Sequence, residues 1–305
     1  MMEFHAKRAL MPSFDSCLDV YADSALSFVG ARWSILRRAL DDLAPAGMRW
    51  RVLDRVDREF SGRVAIVHVD LTEVPDTLLP LPNSYQLCLN GKAKSIHRHL
   101  YSRARIDQQS AYAGPVIVKT VLNHRGIPEL IHRCRRDLQL LRRWRLDQTP
   151  LMREHCPQYV IYPSKELVPE TVWGDHRLLV ERFLPKSLSL PVIKYRYDFF
   201  IDVTLHIRAV YDSLLGDHTR VREVSVADDI PRAVMEVRRS LHLDFGSIDY
   251  FVVDDEAVAV DANKTTTYTE DWVDSYPAVS KYLRDVGARL VEVVRNGSAN
   301  KTRVE

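Results

Sequence analysis

The stretch Leu243–Thr267, LDFGSIDYFVVDDEAVAVDANKTTT, decides how this 305-residue chain is read. Ile248–Val253 and Ala257–Val260 are short apolar runs rich in β-branched residues, separated by Asp254-Asp255-Glu256, a pattern that predicts a β-hairpin. With those three residues as the loop, Val253 pairs with Ala257 and Asp249 stands opposite Asp261. Side chains alternate along a strand, so Asn263 shares the face of Asp261. Carboxylates directly opposite one another repel unless a positive charge lies between them. Mg²⁺ would be such a charge, since it accepts a few carboxylate and amide oxygens and completes its shell with phosphate and water. Asp249, Asp261 and Asn263 are therefore candidate Mg²⁺ ligands. The competing reading is a solvated acidic hairpin edge.

The length allows two or three modest domains, and 46% hydrophobic with 28% charged residues is the composition of a soluble globular protein. Basic and acidic residues, 43 against 41, nearly cancel, so no global field points to nucleic acid or to a membrane. No apolar run is long enough to span a bilayer, and the N-terminus lacks the apolar core of a secretory signal. Cys17, Cys88, Cys134 and Cys156 show no CxxC spacing, which predicts reduced thiols in a cytoplasmic protein and argues against a zinc site. With only 11 glycines and no GxGxxG or GxxxxGK[ST], a Rossmann dinucleotide site or a P-loop is not expected.

Along the chain, residues up to Met11 show no pattern, while Cys17–Leu43 has helical apolar spacing and predicts one or two helices. Trp50–Leu53 and Val64–Val69 read as strands, making the opening region a small α/β domain. His68 and Asp70, at a strand end, are either site side chains or part of a plain strand-to-loop transition. Tyr85–Leu89 is a further strand, followed by an Asn90-Gly91 turn. The basic segment Lys92–Arg105 reads as a solvated helix face from which one or two cations reach a phosphate. Pro115–Val118 is a strand that delivers Lys119 to a polar loop containing Gly126, an arrangement suited to phosphate oxygens. Leu130–Asp147 is a basic helix, but no aromatic stacking platform accompanies it, so nucleic acid is not the expected partner.

Tyr159–Tyr162 and Leu178–Val180 are short strands, the second running into Glu181-Arg182-Phe183. A second hairpin comprises Tyr195–Ile201, a turn at Asp202–Leu205, and His206–Tyr211, with Arg196 and Arg208 on opposite faces. Asp228–Leu241 and Val279–Val294 are helices, and Asn296–Glu305 is a frayed tail. His206, His218 and His242 are isolated and read as structural or surface residues.

Four segments in this order resemble the ATP-grasp superfamily: VIVKTVLNHRGIPE, LLVERFLPK, KYRYDFFIDVTLHIRAVYDS and IDYFVVDDEAVAVDANKT. The resemblance implies an α+β fold in which two α+β subdomains sandwich ATP, preceded by a small α/β N-terminal domain. The implied boundaries are 1–105, 106–181 and 182–305. It implies that Lys119 contacts the phosphates, that a mobile loop at Asn123–Gly126, including Arg125, covers them, and that Glu181 with the backbone at Arg182–Phe183 holds adenine. It further implies that Arg196 steadies the transferred phosphoryl group and that Asp249, Asp261 and Asn263 bind Mg²⁺. The chain departs from the family pattern in four places. The loop has less glycine; Lys186 stands where many members carry a ribose-binding acid; the first ATP lysine is one of Lys92, Lys94 and Arg98; and Asp261 replaces the usual Glu.

The implied reaction is ATP-dependent activation of a carboxylate as an acyl phosphate, which an amine then attacks. Its expected partners are small-molecule carboxylate and amine substrates, with a homodimer as the implied assembly. The alternatives are a small-molecule kinase of the same fold and a non-catalytic nucleotide-binding protein. Specificity is expected from the irregular segments Gly174–Arg177, Lys186–Lys194 and Ser213–Arg222.

Overall fold

Leu18, Val20 and Tyr21 are at most 1% exposed and sit in the middle of a parallel sheet, not in a helix. The computed structural model describes residues 17–23, 34–55, 62–81, 83–133, 157–185, 190–215 and 220–296. Strands β1 (Cys17–Tyr21), β2 (Arg49–Leu53), β3 (Gly62–Val67) and β4 (Tyr85–Leu89) pair in parallel in the order β2-β1-β3-β4. A central parallel strand is buried on both faces and lacks alternation, so five residues of it can imitate a helical stripe. The helix expected over Cys17–Leu43 is therefore confined, among the described residues, to α1 (Ile35–Leu40), which is capped by the Ser34 hydroxyl. Asp19 is tolerated inside this sheet because Arg51 pairs with it and the Tyr85 hydroxyl donates to it at 2.6 Å.

The second sheet is three-stranded and antiparallel. β5 (Val116–Thr120) lies between β6 (Val160–Tyr162) and β7 (Leu178–Arg182). Helix α2 (Ile127–Arg133) follows the turn after β5, and α3 (Glu170–Trp173) packs on the sheet through Val172 and Trp173. Val116, Val118 and Val180 pack with Val168 on the face away from Ile117 and Lys119. The rest of the helix expected at Leu130–Asp147, from residue 134, lies outside the described residues, as do the N-terminal arm and the tail from residue 297.

The third sheet is five-stranded and antiparallel, in the order β10-β9-β8-β11-β12, comprising β8 (Val192–Phe200), β9 (Val203–Tyr211), β10 (Val221–Val226), β11 (Phe245–Val253) and β12 (Glu256–Asn263). Both hairpins turn more tightly than the sequence predicts. In β8–β9 the turn is Ile201-Asp202, and Arg196 and Arg208 still occupy opposite faces because Arg196 pairs with Ile207. In β11–β12 the turn is Asp254-Asp255, both with positive φ (50° and 65°), as the twist of a two-residue hairpin requires. A β-bulge between Asp249 and Tyr250 takes up the residue that the turn gives back, so Asp249 stands opposite Asp261 after all.

Helix α4 (Arg232–Ser240), with Pro231 at its N-cap rather than in its first turn, covers one face of this sheet through Val234 and Val237. On the other face, Leu205, Ile207, Ala209 and Tyr211 of β9 pack on α1 and on the closing helix α6 (Pro277–Asn296), which follows α5 (Glu270–Ser275). Where α6 approaches the turn after α1, a Cβ at Gly287 would lie 1.8 Å from Asp42 Oδ2, so the exposed Asp42 side chain would have to swing away. One buried residue, Asn90, ties the first sheet to the third. Its side chain accepts from the Asp244 and Phe245 N–H groups and donates to the Phe245 carbonyl at 2.8 Å, directly before the Asp249 strand.

Candidate nucleotide site between two sheets

The face of the five-stranded sheet that is apolar along β9 becomes polar along β8, β11 and β12. Lys194, Arg196 and Asp198 alternate along β8, Asp249 pairs with Arg196, and Asp261 pairs with Asp249. This polar face and the Ile117–Lys119 face of the small sheet bound a cleft of about 380 Å³, within the range of small-molecule sites. Its lining includes Lys119, Asn123, Arg182, Phe183, Arg196, Asp249, Asp261 and Asn263 from the expected set, whereas Arg125, Gly126 and Glu181 stand outside the lining. Four cationic side chains (Arg98, Lys119, Lys194, Arg196) face three carboxylates (Asp70, Asp249, Asp261), a balance suited to a polyanion.

On the small sheet, Ile117 pairs with Glu181, so Glu181 and Lys119 share a face, and Lys119 Nζ lies 2.7 Å from the Glu181 carboxylate. Glu181 is fully buried and also accepts from the Ser102 hydroxyl. Burial pushes its carboxyl up, but Lys119 and Ser102 outweigh that and hold it below the ordinary range. Glu181 thus anchors Lys119 from below. At Arg182–Phe183, the Arg182 N–H donates to the Ala104 carbonyl and the Phe183 N–H to the Pro115 carbonyl, each at 2.8 Å. Arg182 and Phe183 both line the cleft, and because Arg182 pairs with Val116 its side chain lies on the Val116–Val180 face, away from Lys119.

The Asn123–Gly126 loop is a 3-10 turn held at its first residue, Asn123. The Asn123 N–H donates to Thr72 Oγ1 at 2.8 Å, and Asn123 Nδ2 donates to Asn263 Oδ1 at 3.0 Å. His124 and Arg125 both adopt positive φ (44° and 62°), a conformation that non-glycine residues rarely take and that marks a constrained turn. Gly126 continues it at φ 80°.

Of the three candidates for the first phosphate cation, only Arg98 lines the cleft. The expected helix over Lys92–Arg105 is absent; the segment is a run of turns, bridges and a short 3-10 turn at Arg98–Leu100. This conformation buries Arg98, whose guanidinium donates to the Thr120 and Val260 carbonyls, to Asp261 Oδ1 at 2.9 Å and to the Tyr159 hydroxyl at 3.0 Å. Arg98 therefore clamps the two sheets together. Arg196 is held at its base by Asp198, at 2.9 Å, and lies over the Tyr268 ring, whose hydroxyl donates to Asp198.

The set expected to hold Mg²⁺ has suitable oxygens on one face, yet each member carries a donor from the chain. Lys194 Nζ lies 2.9 Å from Asp249 Oδ2, Arg98 takes Asp261 Oδ1, and Asn123 takes Asn263 Oδ1. Among the described residues no group of three or more His, Cys, Asp or Glu is placed to hold a metal ion. Asp261 retains a 29% exposed side chain, whereas that of Asp249 is 9% exposed. Asn263 Nδ2 also donates to Asp261 Oδ2 at 3.3 Å, so the more exposed Asp261–Asn263 end fits a cation only in exchange for these bonds, and the Asp249 end does not fit one as it stands. Lys194, assigned from sequence to an irregular segment, lies inside β8. The period-two pattern Lys194, Arg196, Asp198 was the signal that could have found it.

The two strand-end residues diverge. His68 is buried beside Phe245, and burial lowers its pKa to about 3, so it stays neutral. Asp70 lines the cleft at an exposed position, accepts from the Thr265 hydroxyl, and has its pKa raised to about 7 by the crowding of surrounding groups around its carboxyl and by the nearby Asp23 and Glu129. His206 is structural, its ring bonded to the Asp228 carbonyl and the Tyr250 hydroxyl. Cys88 is a free thiol, pushed up to about 12 by burial. Lys186 and His218 lie outside the described residues.

No family model and no curated protein matches this sequence. Solved structures match it along nearly its whole length, and the fold is the ATP-grasp fold. The ATP-grasp ligase PsnB, complexed with a phosphomimetic variant of minimal precursor, Mg and ADP, is similar with a TM-score of 0.53 at 10% identity, over 94% of this chain and 100% of that one. The same ligase with minimal precursor, Mg and ADP gives 0.52 at 9% identity, over 95% and 99%. Its complex with minimal precursor gives 0.51 at 9%, over 93% and 99%. Among the described residues no helix is long and apolar enough to cross a membrane.

Proposed function

We propose that this protein is an ATP-dependent carboxylate–amine ligase, acting on a peptide or amino-acid substrate. The observation that carries the reading is the convergence of Lys119 from one sheet with Arg196, Asp249, Asp261 and Asn263 from the other on a single cleft with a cationic surplus. The ATP-grasp fold supports it, as does the similarity to PsnB, a ligase complexed with a precursor, Mg and ADP. In this reading the division 1–105, 106–181 and 182–305 separates an acceptor-side domain from the two walls around the nucleotide.

The triphosphate lies between Lys119 and Arg196, with the Asn123–Gly126 turn beside it and Phe183 and Arg182 toward the base. A substrate carboxylate oxygen attacks the γ-phosphorus, ADP leaves, and an acyl phosphate forms. The amine attacks the acyl carbon, expels inorganic phosphate and loses its proton to solvent. Lys119 and Arg196 neutralise the negative charge that moves during transfer. Mg²⁺ arriving with ATP would be held by Asp261 and Asn263, with Asp249 the third oxygen side chain of the set, and would supply charge neutralisation at the β- and γ-phosphates.

The test is interception of the acyl phosphate. Incubation with ATP, Mg²⁺, hydroxylamine and a panel of Asp- and Glu-containing peptides is expected to give hydroxamates together with ADP and free phosphate. ADP formed with a phosphorylated product and no free phosphate would instead establish the kinase.

A further inference from the structure

The hairpin poses an electrostatic question that the fold answers without a metal. Asp249 and Asp261 are cross-strand partners, and two carboxylates so placed destabilise a sheet unless positive charge compensates them. Here the compensation comes from the chain. Arg98 serves Asp261 at 2.9 Å, and Lys194 serves Asp249 at 2.9 Å.

The two cations are not equivalent. The Arg98 guanidinium spreads its donors over two backbone carbonyls, Asp261 and the Tyr159 hydroxyl, so it is committed to structure. Lys194 is a point charge with three N–H donors, of which Asp249 Oδ2 takes one. It stands two residues before Arg196 on the same strand face, lines the cleft, and is steadied laterally by the Tyr211 ring, 5.2 Å from Nζ. Its position is that of a cation held by a carboxylate on one side and open to a polyanion on the other.

We propose that Lys194 stands in for one divalent ion, its ammonium bridging Asp249 to the phosphates of a bound nucleotide, so that nucleotide binding survives removal of divalent metal. The proposal rests on the nucleotide site argued above and assigns to Lys194 a role that the four ATP-grasp-like segments do not contain.

The experiment is thermal unfolding of the full chain with ATP, once in EDTA and once with Mg²⁺, for the native protein and for Lys194→Met. A ligand that binds only the folded state must raise the melting temperature. The native chain is expected to shift in both media. Lys194→Met is expected to lose less of the shift with Mg²⁺ than in EDTA, because divalent metal then supplies positive charge to the phosphates. In EDTA it should lose affinity about tenfold or more, the worth of a charge-assisted hydrogen bond. A native shift that appears only with Mg²⁺ overturns the proposal and leaves the nucleotide site standing. No native shift in either medium overturns both. An EDTA shift unchanged in Lys194→Met also overturns it. Should that variant not fold with Asp249 uncompensated, Lys194→Met combined with Asp249→Asn removes both charges, and the same loss in EDTA is expected.

Discussion

The two walls of the cleft solve the same problem differently. On the three-stranded sheet, Lys119 is held by a carboxylate beneath it, Glu181, which is fully buried and outside the cleft lining. That wall presents positive charge alone. On the five-stranded sheet, Lys194, Arg196, Asp249 and Asp261 lie side by side in the cleft, so cations and carboxylates alternate along the surface. The first arrangement suits a fixed phosphate anchor. The second suits a surface on which charges are redistributed when a ligand arrives, because its carboxylates line the cleft together with its cations.

The contrast is broken most severely by removing the group that joins the walls. Arg98→Ala strips a buried guanidinium from Asp261, two carbonyls and Tyr159, and is expected to cost about 3–5 kcal/mol in denaturant unfolding. Next comes the anchor. Lys119→Met leaves Glu181 buried without its cation, at about 3 kcal/mol. Adding Glu181→Gln should recover most of that stability without restoring stabilisation by ATP, which separates the two roles of the lysine. A smaller effect is expected from Gly246→Ala, whose Cβ would lie 2.3 Å from the Asn263 carbonyl oxygen and push β12 outward. Overpacking of this kind costs about 1–3 kcal/mol, and a loss of ATP-induced stabilisation beyond the loss of stability would place Asn263 in the site.

The smallest effect concerns pH. Asp70 has a folded-state pKa near 7, above its unfolded value, so the folded chain holds a proton that the unfolded chain releases between about pH 4 and 7. Its contribution to stability is present below pH 4, is lost as pH rises to 7, and is constant above. Asp70→Asn should therefore raise the melting temperature more at pH 8 than at pH 5. An equal change at both values would show that Asp70 titrates normally.

What the sequence made legible follows the range of the interactions. The hairpins could be read because alternation and turn residues are local, and the Asp249–Asp261 pairing followed even though the turn was one residue shorter than expected. The bulge that restored the pairing has no sequence mark of its own. β1 was misread because a strand buried on both faces has no period to declare it. Arg98 could be narrowed only to one of three cations, since its partners Thr120, Tyr159 and the pair Val260 and Asp261 come from three distant points of the chain. Lys194 was lost by starting β8 at Tyr195, three residues late.

The account stands on both walls serving one nucleotide, and an equilibrium titration with ATP and Mg²⁺ tests this most directly. It compares the native chain with one substitution on each wall, Lys119→Met combined with Glu181→Gln on the small sheet and Arg196→Met on the large one. One saturable site that weakens about tenfold or more with either substitution is the predicted result. Absence of saturable binding to the native chain, or binding that neither substitution weakens, would contradict the account.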